Sequence, residues 1–294
     1  MTETEREALD LCDAGLQHMR RGEIDLAIVA YDRGVSAAVG DEARELLTIR
    51  KAEALIAAGR EGAEVAALPG LVMRRRSPRH VYLASYALMR RFSEANDHKR
   101  ALFYGDVASR AANELGDVHA RANVLNGVGV ILVVGSQFAE AIVALEEALA
   151  AIEPIASSSD ETDILSASIA ANLGGAKVLS GAHAEGVQLL ESALPRLREA
   201  SDRVEAFLDL CFGYVELGRY DVAETYGRRA LEMAAIDRQV RNANHLLGEI
   251  CLRTERYDES DAYFDVVASF YPDFKNVKQL LVAVDLCAVV NWKA

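Results

Sequence analysis

Small and apolar residues return at helical spacing along most of the chain, and the pattern is cleanest between Asn244 and Pro272. Leu247, Gly248 and Cys251 fall about one turn apart, as on the buried stripe of a helix. A polar turn follows, Tyr257 opens a second periodic stretch, and Ser260, Phe264 and Val267 continue it until Pro272 ends it. Together these predict two helices folded back on each other, with Gly248 where they approach closely. One such hairpin would leave its apolar face in water, so the chain must supply neighbouring copies.

The copies can be counted. The small residue early in the second helix recurs as Ala27, Ala101, Ala141, Gly186, Ala223 and Ser260, with Glu64 in a degenerate place between the first two. Successive spacings are 37, 37, 40, 45, 37 and 37 residues. Five positions before each stand Gly22, Gly59, Asn96, Ser136, Gly181, Gly218 and Glu255, so two independent markers keep one register. Gly40-Asp41 and Gly116-Asp117 read as glycine past a helix end followed by an N-capping aspartate. Pro69-Gly70 predicts a break in the second helix of unit two, and Pro195 a bend or stop late in unit five. The longest spacing contains Pro154 and ASSSD, read as an extended interhelical loop near 154–160 with Ser159 or Asp160 capping the next helix. The β-branched run GVGVILVVG sits where the register demands a helix; a helix covered on several sides is apolar nearly all round.

This pattern resembles the tetratricopeptide repeat (TPR) family, whose motif has a large residue, Leu-Gly, a Tyr, then Gly-x-Tyr-x-x-Ala, Phe, Ala and a closing Pro. Unit six matches it with Phe207, Leu210, Cys211, Tyr214, Gly218, Tyr220, Ala223 and Ala230. Unit seven does so with Leu247, Gly248, Tyr257, Phe264 and Pro272. The resemblance covers nearly the whole chain, strongly in unit one and from unit five onward, weakly in unit two. It implies an all-α fold, a right-handed superhelical solenoid of about seven hairpins spanning residues 1–275. Residues 276–294 then form a C-terminal helix that caps the array or, through Val277 to Trp292, makes a homodimer.

Composition agrees with helix-on-helix packing: half the residues are apolar, while aromatics make up only 6%. The net charge of -13 disfavours nonspecific attraction to nucleic acid or anionic membrane. The apolar runs are too short to cross a bilayer, and the amino-terminal residues are acidic. Cys12, Cys211, Cys251 and Cys287 stand far apart with no C-x-x-C pair, so spacing signals no zinc or redox site, and a cytoplasmic, reducing setting is expected. No cofactor is implied. Catalytic motifs are absent and the histidines do not cluster at ligand spacing. His18, His98 and His183 fall at hairpin-packing positions, so a noncatalytic protein is expected.

TPR arrays present the first helices of their hairpins on a concave wall, which receives ligand. The resemblance therefore projects Asp13, Arg50, Tyr86, Arg90, Asn126, Val130, Val133, Asn172, Asp209, Phe212, His245 and Glu249 inward. Chaperone-binding members grip a carboxylate with Lys, Asn, Asn, Lys and Arg. In that register this chain keeps Asn172, but Asn126 stands for the first Lys, Val130 for an Asn, and Glu205 and Asp209 for the last cations. The inverted charge implies a neutral or cationic peptide or helix as partner. Val130, Val133 and Phe212 would be apolar anchors, and the asparagines would pair with peptide backbone.

A local basic run contains Arg74, Arg75, Arg76 and Arg79, read either as a solvated face balancing an acidic protein or as a dock for an acidic partner or nucleic acid. Thin aromatic interleaving argues against nucleic acid. Two other functions stay open: a peptide-sensing bacterial regulator and a self-assembling subunit. The first is disfavoured because repeat one starts almost at Met1, where such regulators carry an effector bundle.

Overall fold

The computed structural model describes residues 3–273, so the expected helix from Val277 to Trp292 lies outside the described residues. Among the described residues there are fourteen α-helices, two 3-10 turns and no strand. The helices pair as hairpins in the register read from the sequence. They are α1 (Glu3–Arg20) with α2 (Ile24–Ala37), α3 (Asp41–Ala57) with α4 (Ala63–Arg74), and α5 (Pro78–Glu94) with α6 (His98–Leu115). Next come α7 (Val118–Val134) with α8 (Phe138–Ile152) and α9 (Asp160–Leu179) with α10 (His183–Ala193). The last two pairs are α11 (Ala200–Glu216) with α12 (Tyr220–Met233) and α13 (Asp237–Arg253) with α14 (Tyr257–Ser269). The described residues divide within α7 into two compact units, one up to Gly127 and one from Val128 on.

Each hairpin turn is built the same way. Gly22, Gly59, Asn96, Ser136, Gly181, Gly218 and Glu255 all have positive φ, between 55° and 96°. The amide of the residue after each one donates back to a carbonyl five positions earlier: Glu23 to His18, Arg60 to Leu55, Asp97 to Phe92, Gln137 to Leu132, Ala182 to Lys177, Arg219 to Tyr214 and Arg256 to Cys251. These bonds measure 2.8 to 2.9 Å and satisfy carbonyls that the ending helix leaves open. The left-handed residue reverses the chain, and the next helix starts within a few residues.

The second marker is a close approach. Ala27, Ala101, Ala141 and Ala223 have no exposed surface. In unit five a Cβ added at Gly186 would lie 2.5 Å from the Gly174 carbonyl oxygen, so backbone meets backbone. In unit seven Ser260 Oγ donates to the Gly248 carbonyl at 2.8 Å, and a Cβ on Gly248 would sit 3.0 Å from the Phe264 ring. The degenerate Glu64 lies at the edge instead, where its carboxylate accepts from Lys51 Nζ at 2.8 Å.

Three local expectations change. The helix α4 runs through Pro69 rather than breaking there. Val65, Leu68, Leu71 and Val72 form its buried stripe while Pro69 and Gly70 are exposed, so packing holds the helix although Val65 loses its backbone donor. Asp41 lies in the first turn of α3, and the cap position is the extended Gly40. Asp117 does cap, its Oδ1 accepting from the Ala120 amide at 2.9 Å. The stretch after α8 is a 3-10 turn, Glu153–Ser158, rather than an open loop. Ser159 then closes a capping box with Thr162 at the start of α9. A second 3-10 turn, Leu194–Arg196, holds Pro195 where α10 ends.

Within each unit, first helices touch first helices: α1 with α3 and α3 with α5 in one, α9 with α11 and α11 with α13 in the other. Each unit thus has a wall made by its first helices. In the first unit the core beneath that wall joins Ile49, Leu55, Val65, Leu68, Val81 and Leu88.

Candidate functional site

Between the first helices α9 and α11 of the second unit, helix spacing gathers polar side chains. Ser168 and Asn172 stand four apart on α9, and Asp202, Glu205 and Asp209 stand three and four apart on α11, so each set occupies one face. All five line one pocket of about 50 Å³, with Ala171 and Ala206 as its small apolar residues. Ser168 Oγ donates to Asp202 Oδ2 at 3.1 Å. Glu205 receives both Arg238 nitrogens of α13, at 2.6 and 3.1 Å, and Gln239 Nε2 at 2.9 Å. The Asp209 carboxylate lies directly over Gly175, where any Cβ would collide with it. A pocket this size holds a few waters or the charged tip of a side chain, not a whole residue.

Of the residues projected inward, Asn172, Glu205 and Asp209 are thus brought together. Ser168, Asp202 and the space-making Gly175 were not singled out in the sequence, although their spacing with Asn172 and Asp209 carried the signal. Val130 is half-buried on α7, and Asn126 is half-buried in the part of α7 that belongs to the first unit. Val133, Phe212 and His245 are buried, at 7%, 3% and 1% exposure, and so are packed rather than presented on a groove wall. Phe212 meets His183 of α10 edge-on, with ring centroids 6.2 Å apart, and His245 meets Phe264 of α14 at 5.5 Å. Burial pushes His245 down to about 4, which keeps its ring neutral. A register marks a helix face, but which neighbour covers that face depends on the size of residues on the partner helix.

The first unit has a larger cavity of about 230 Å³ among α1, α2, α3 and α5. The projected residues Arg50, Tyr86 and Arg90 line it, together with Glu53, while Leu16, Met19 and Ile56 supply apolar wall. Arg50 Nη1 and Glu53 Oε2 pair at 2.7 Å. Burial raises the Glu53 carboxyl against the opposing pull of Arg50. Tyr82 and Tyr86 stack with ring centroids 6.0 Å apart, and burial raises both hydroxyls above the usual tyrosine range.

The basic run is stitched to acidic neighbours. Arg74 and Arg76 reach the buried Glu45 at 3.2 and 3.0 Å, Arg76 also reaches Asp41 at 3.5 Å, and Arg75 reaches Glu114 at 3.4 Å. Arg79 is exposed on the first turn of α5. No helix among the described residues is long and apolar enough to cross a membrane.

No protein-family model matches the sequence, and no curated protein matches it either. Solved structures do match in fold. The apo form of the quorum sensor NprR from B. thuringiensis aligns with a TM-score of 0.71 at 15% identity, over 96% of this chain and 81% of that one. A Rap protein complexed with competence and sporulation factor aligns with a TM-score of 0.67 at 16% identity, over 92% and 78%. A tetratricopeptide repeat protein from Parabacteroides merdae aligns with a TM-score of 0.54 at 12% identity, over 95% and 98%. The fold is therefore the all-α repeat fold of tetratricopeptide type.

Proposed function

We propose that this chain is a noncatalytic binding module whose second-unit inner wall takes a protein segment or peptide of neutral or cationic character. The observation that carries the reading is the convergence of Asp202, Glu205 and Asp209 with Asn172 in one small pocket. Glu205 is committed to Arg238 and Gln239, so the charge that meets a lysine or arginine tip, or a peptide amine, comes from Asp202 and Asp209, and the asparagine amide carries both a donor and an acceptor for peptide backbone. Peptide as the occupant is supported by the fold likeness to NprR in complex with its cognate peptide NprX. Free, buried Cys12, Cys211 and Cys251 suit a reducing, cytoplasmic setting.

A second reading, a peptide-sensing regulator, is favoured by the likeness to the quorum sensor NprR. The two differ in what binding does: a sensor changes its scattering radius when peptide is added, and a plain binding module keeps it.

An array of synthetic peptides graded in net charge tests the shared claim. Wild-type protein should retain the cationic members, and Asn172→Ala should weaken retention by about 1 to 3 kcal/mol. Asp209→Lys should move the preference toward acidic peptides. Identical retention by all three proteins would remove the site from the second unit.

A further inference from the structure

The cavity in the first unit has chemistry of a different kind. It combines an apolar wall with two guanidinium groups, those of Arg50 and Arg90, and a single carboxylate, Glu53. Glu53 is already engaged with Arg50 Nη1 at 2.7 Å. Arg50 Nε is buried and has no hydrogen-bond partner, a donor that calls for an acceptor. Arg90 is half-exposed and holds Glu94 only loosely, at 3.7 Å, so its guanidinium can turn to another anion at little cost. The lining therefore has a surplus of positive charge and of donors.

Size narrows the occupant. At about 230 Å³ the cavity is smaller than the roughly 300–1,000 Å³ pockets that enclose drug-sized ligands. It suits one large aliphatic or aromatic group. Leu16, Met19 and Ile56 offer that group an apolar wall, and Met19 adapts to its shape. A cation would meet two arginines, and a purely apolar group would leave the buried Arg50 donor unanswered.

We propose that this cavity receives an apolar group bearing a carboxylate, with the carbon skeleton against Met19 and Ile56 and the carboxylate held by Arg50 and Arg90. The site is separate from the acidic pocket of the second unit and stands or falls on different residues. Two sources share the chemistry: the carboxy-terminal residue of a peptide, and a free small carboxylic acid.

Methyl-labelled full-length protein, titrated with N-acetyl-leucine, N-acetyl-leucinamide and 4-methylpentanoate, separates these cases by NMR. The expected result is saturable shifts of the Met19 and Ile56 methyls with N-acetyl-leucine, and binding of its amide weaker by about tenfold or more. Equal binding of 4-methylpentanoate assigns the site to free acids, and weaker binding assigns it to a peptide terminus. Arg90→Gln changes an exposed side chain, so it should keep the melting temperature while weakening N-acetyl-leucine about tenfold. Arg50→Lys provides a second variant that keeps the charge paired with Glu53 but loses the Nε donor, and should weaken binding as well. The proposal is overturned if the amide binds as tightly as the acid, if the shifts fall outside the cavity, or if Arg90→Gln leaves the affinity unchanged.

Discussion

Among the described residues, seven left-handed residues close seven hairpins, and only four of them are glycine. Asn96, Ser136 and Glu255 adopt φ of 55°, 56° and 60° because the turn and its back-bond leave no other path. A side chain there opposes its Cβ to the backbone, least for asparagine and more for glutamate. Glu255→Gly should therefore stabilise the last hairpin by about 0.5 to 1 kcal/mol, read as a rise in the denaturant midpoint at unchanged slope. A fall would mean that Glu255 contributes through its side chain rather than straining the turn. This series was legible in the sequence because a backbone constraint selects the same few residue types in every copy. The pocket residues were legible only in part. Asn172 and Asp209 stood at family binding positions, whereas Gly175 matters through the space it leaves for the Asp209 carboxylate, and a sequence does not display space.

At the scale of the helix, two small positions facing each other decide how tightly a hairpin closes. In α9 and α10 they are Gly174 and Gly186, backbone against backbone, and in α13 and α14 they are Gly248 and Ser260, joined by a buried hydrogen bond. Gly248→Leu would drive a branched side chain into Phe264, whose ring atoms lie 3.0 to 3.2 Å from the first carbon it adds. A loss of about 1 to 3 kcal/mol should appear as an earlier melting transition. Unchanged melting would show that α14 moves aside freely. Helix α4 shows why propensity misleads in a repeat. Pro69 costs one backbone bond, but four buried residues on the opposite stripe keep the helix intact. The same burial hides Phe212 and His245, whose inward register was readable while the rings that cover them were not.

Over the whole molecule the formal charge of -13 steers cationic partners toward the chain and repels anionic ones, an effect that fades as salt rises. Local pairing qualifies that average. The arginines at 74–76 are spent on Glu45, Asp41 and Glu114, so the basic run offers less free positive charge than its sequence implies. In the second unit Glu205 is likewise committed to Arg238, while Asp202 and Asp209 place the sign that dominates the chain in the same pocket. Uniformly 15N-labelled protein titrated at low salt with a lysine-rich and a glutamate-rich peptide of equal length is the most direct measurement. An acidic binding wall predicts amide shifts concentrated at Ser168–Asn172 and Asp202–Asp209 for the lysine-rich peptide, weakening as salt is added, and little response to the other. Equal responses to both peptides, or shifts that leave those two helix faces silent, would contradict it.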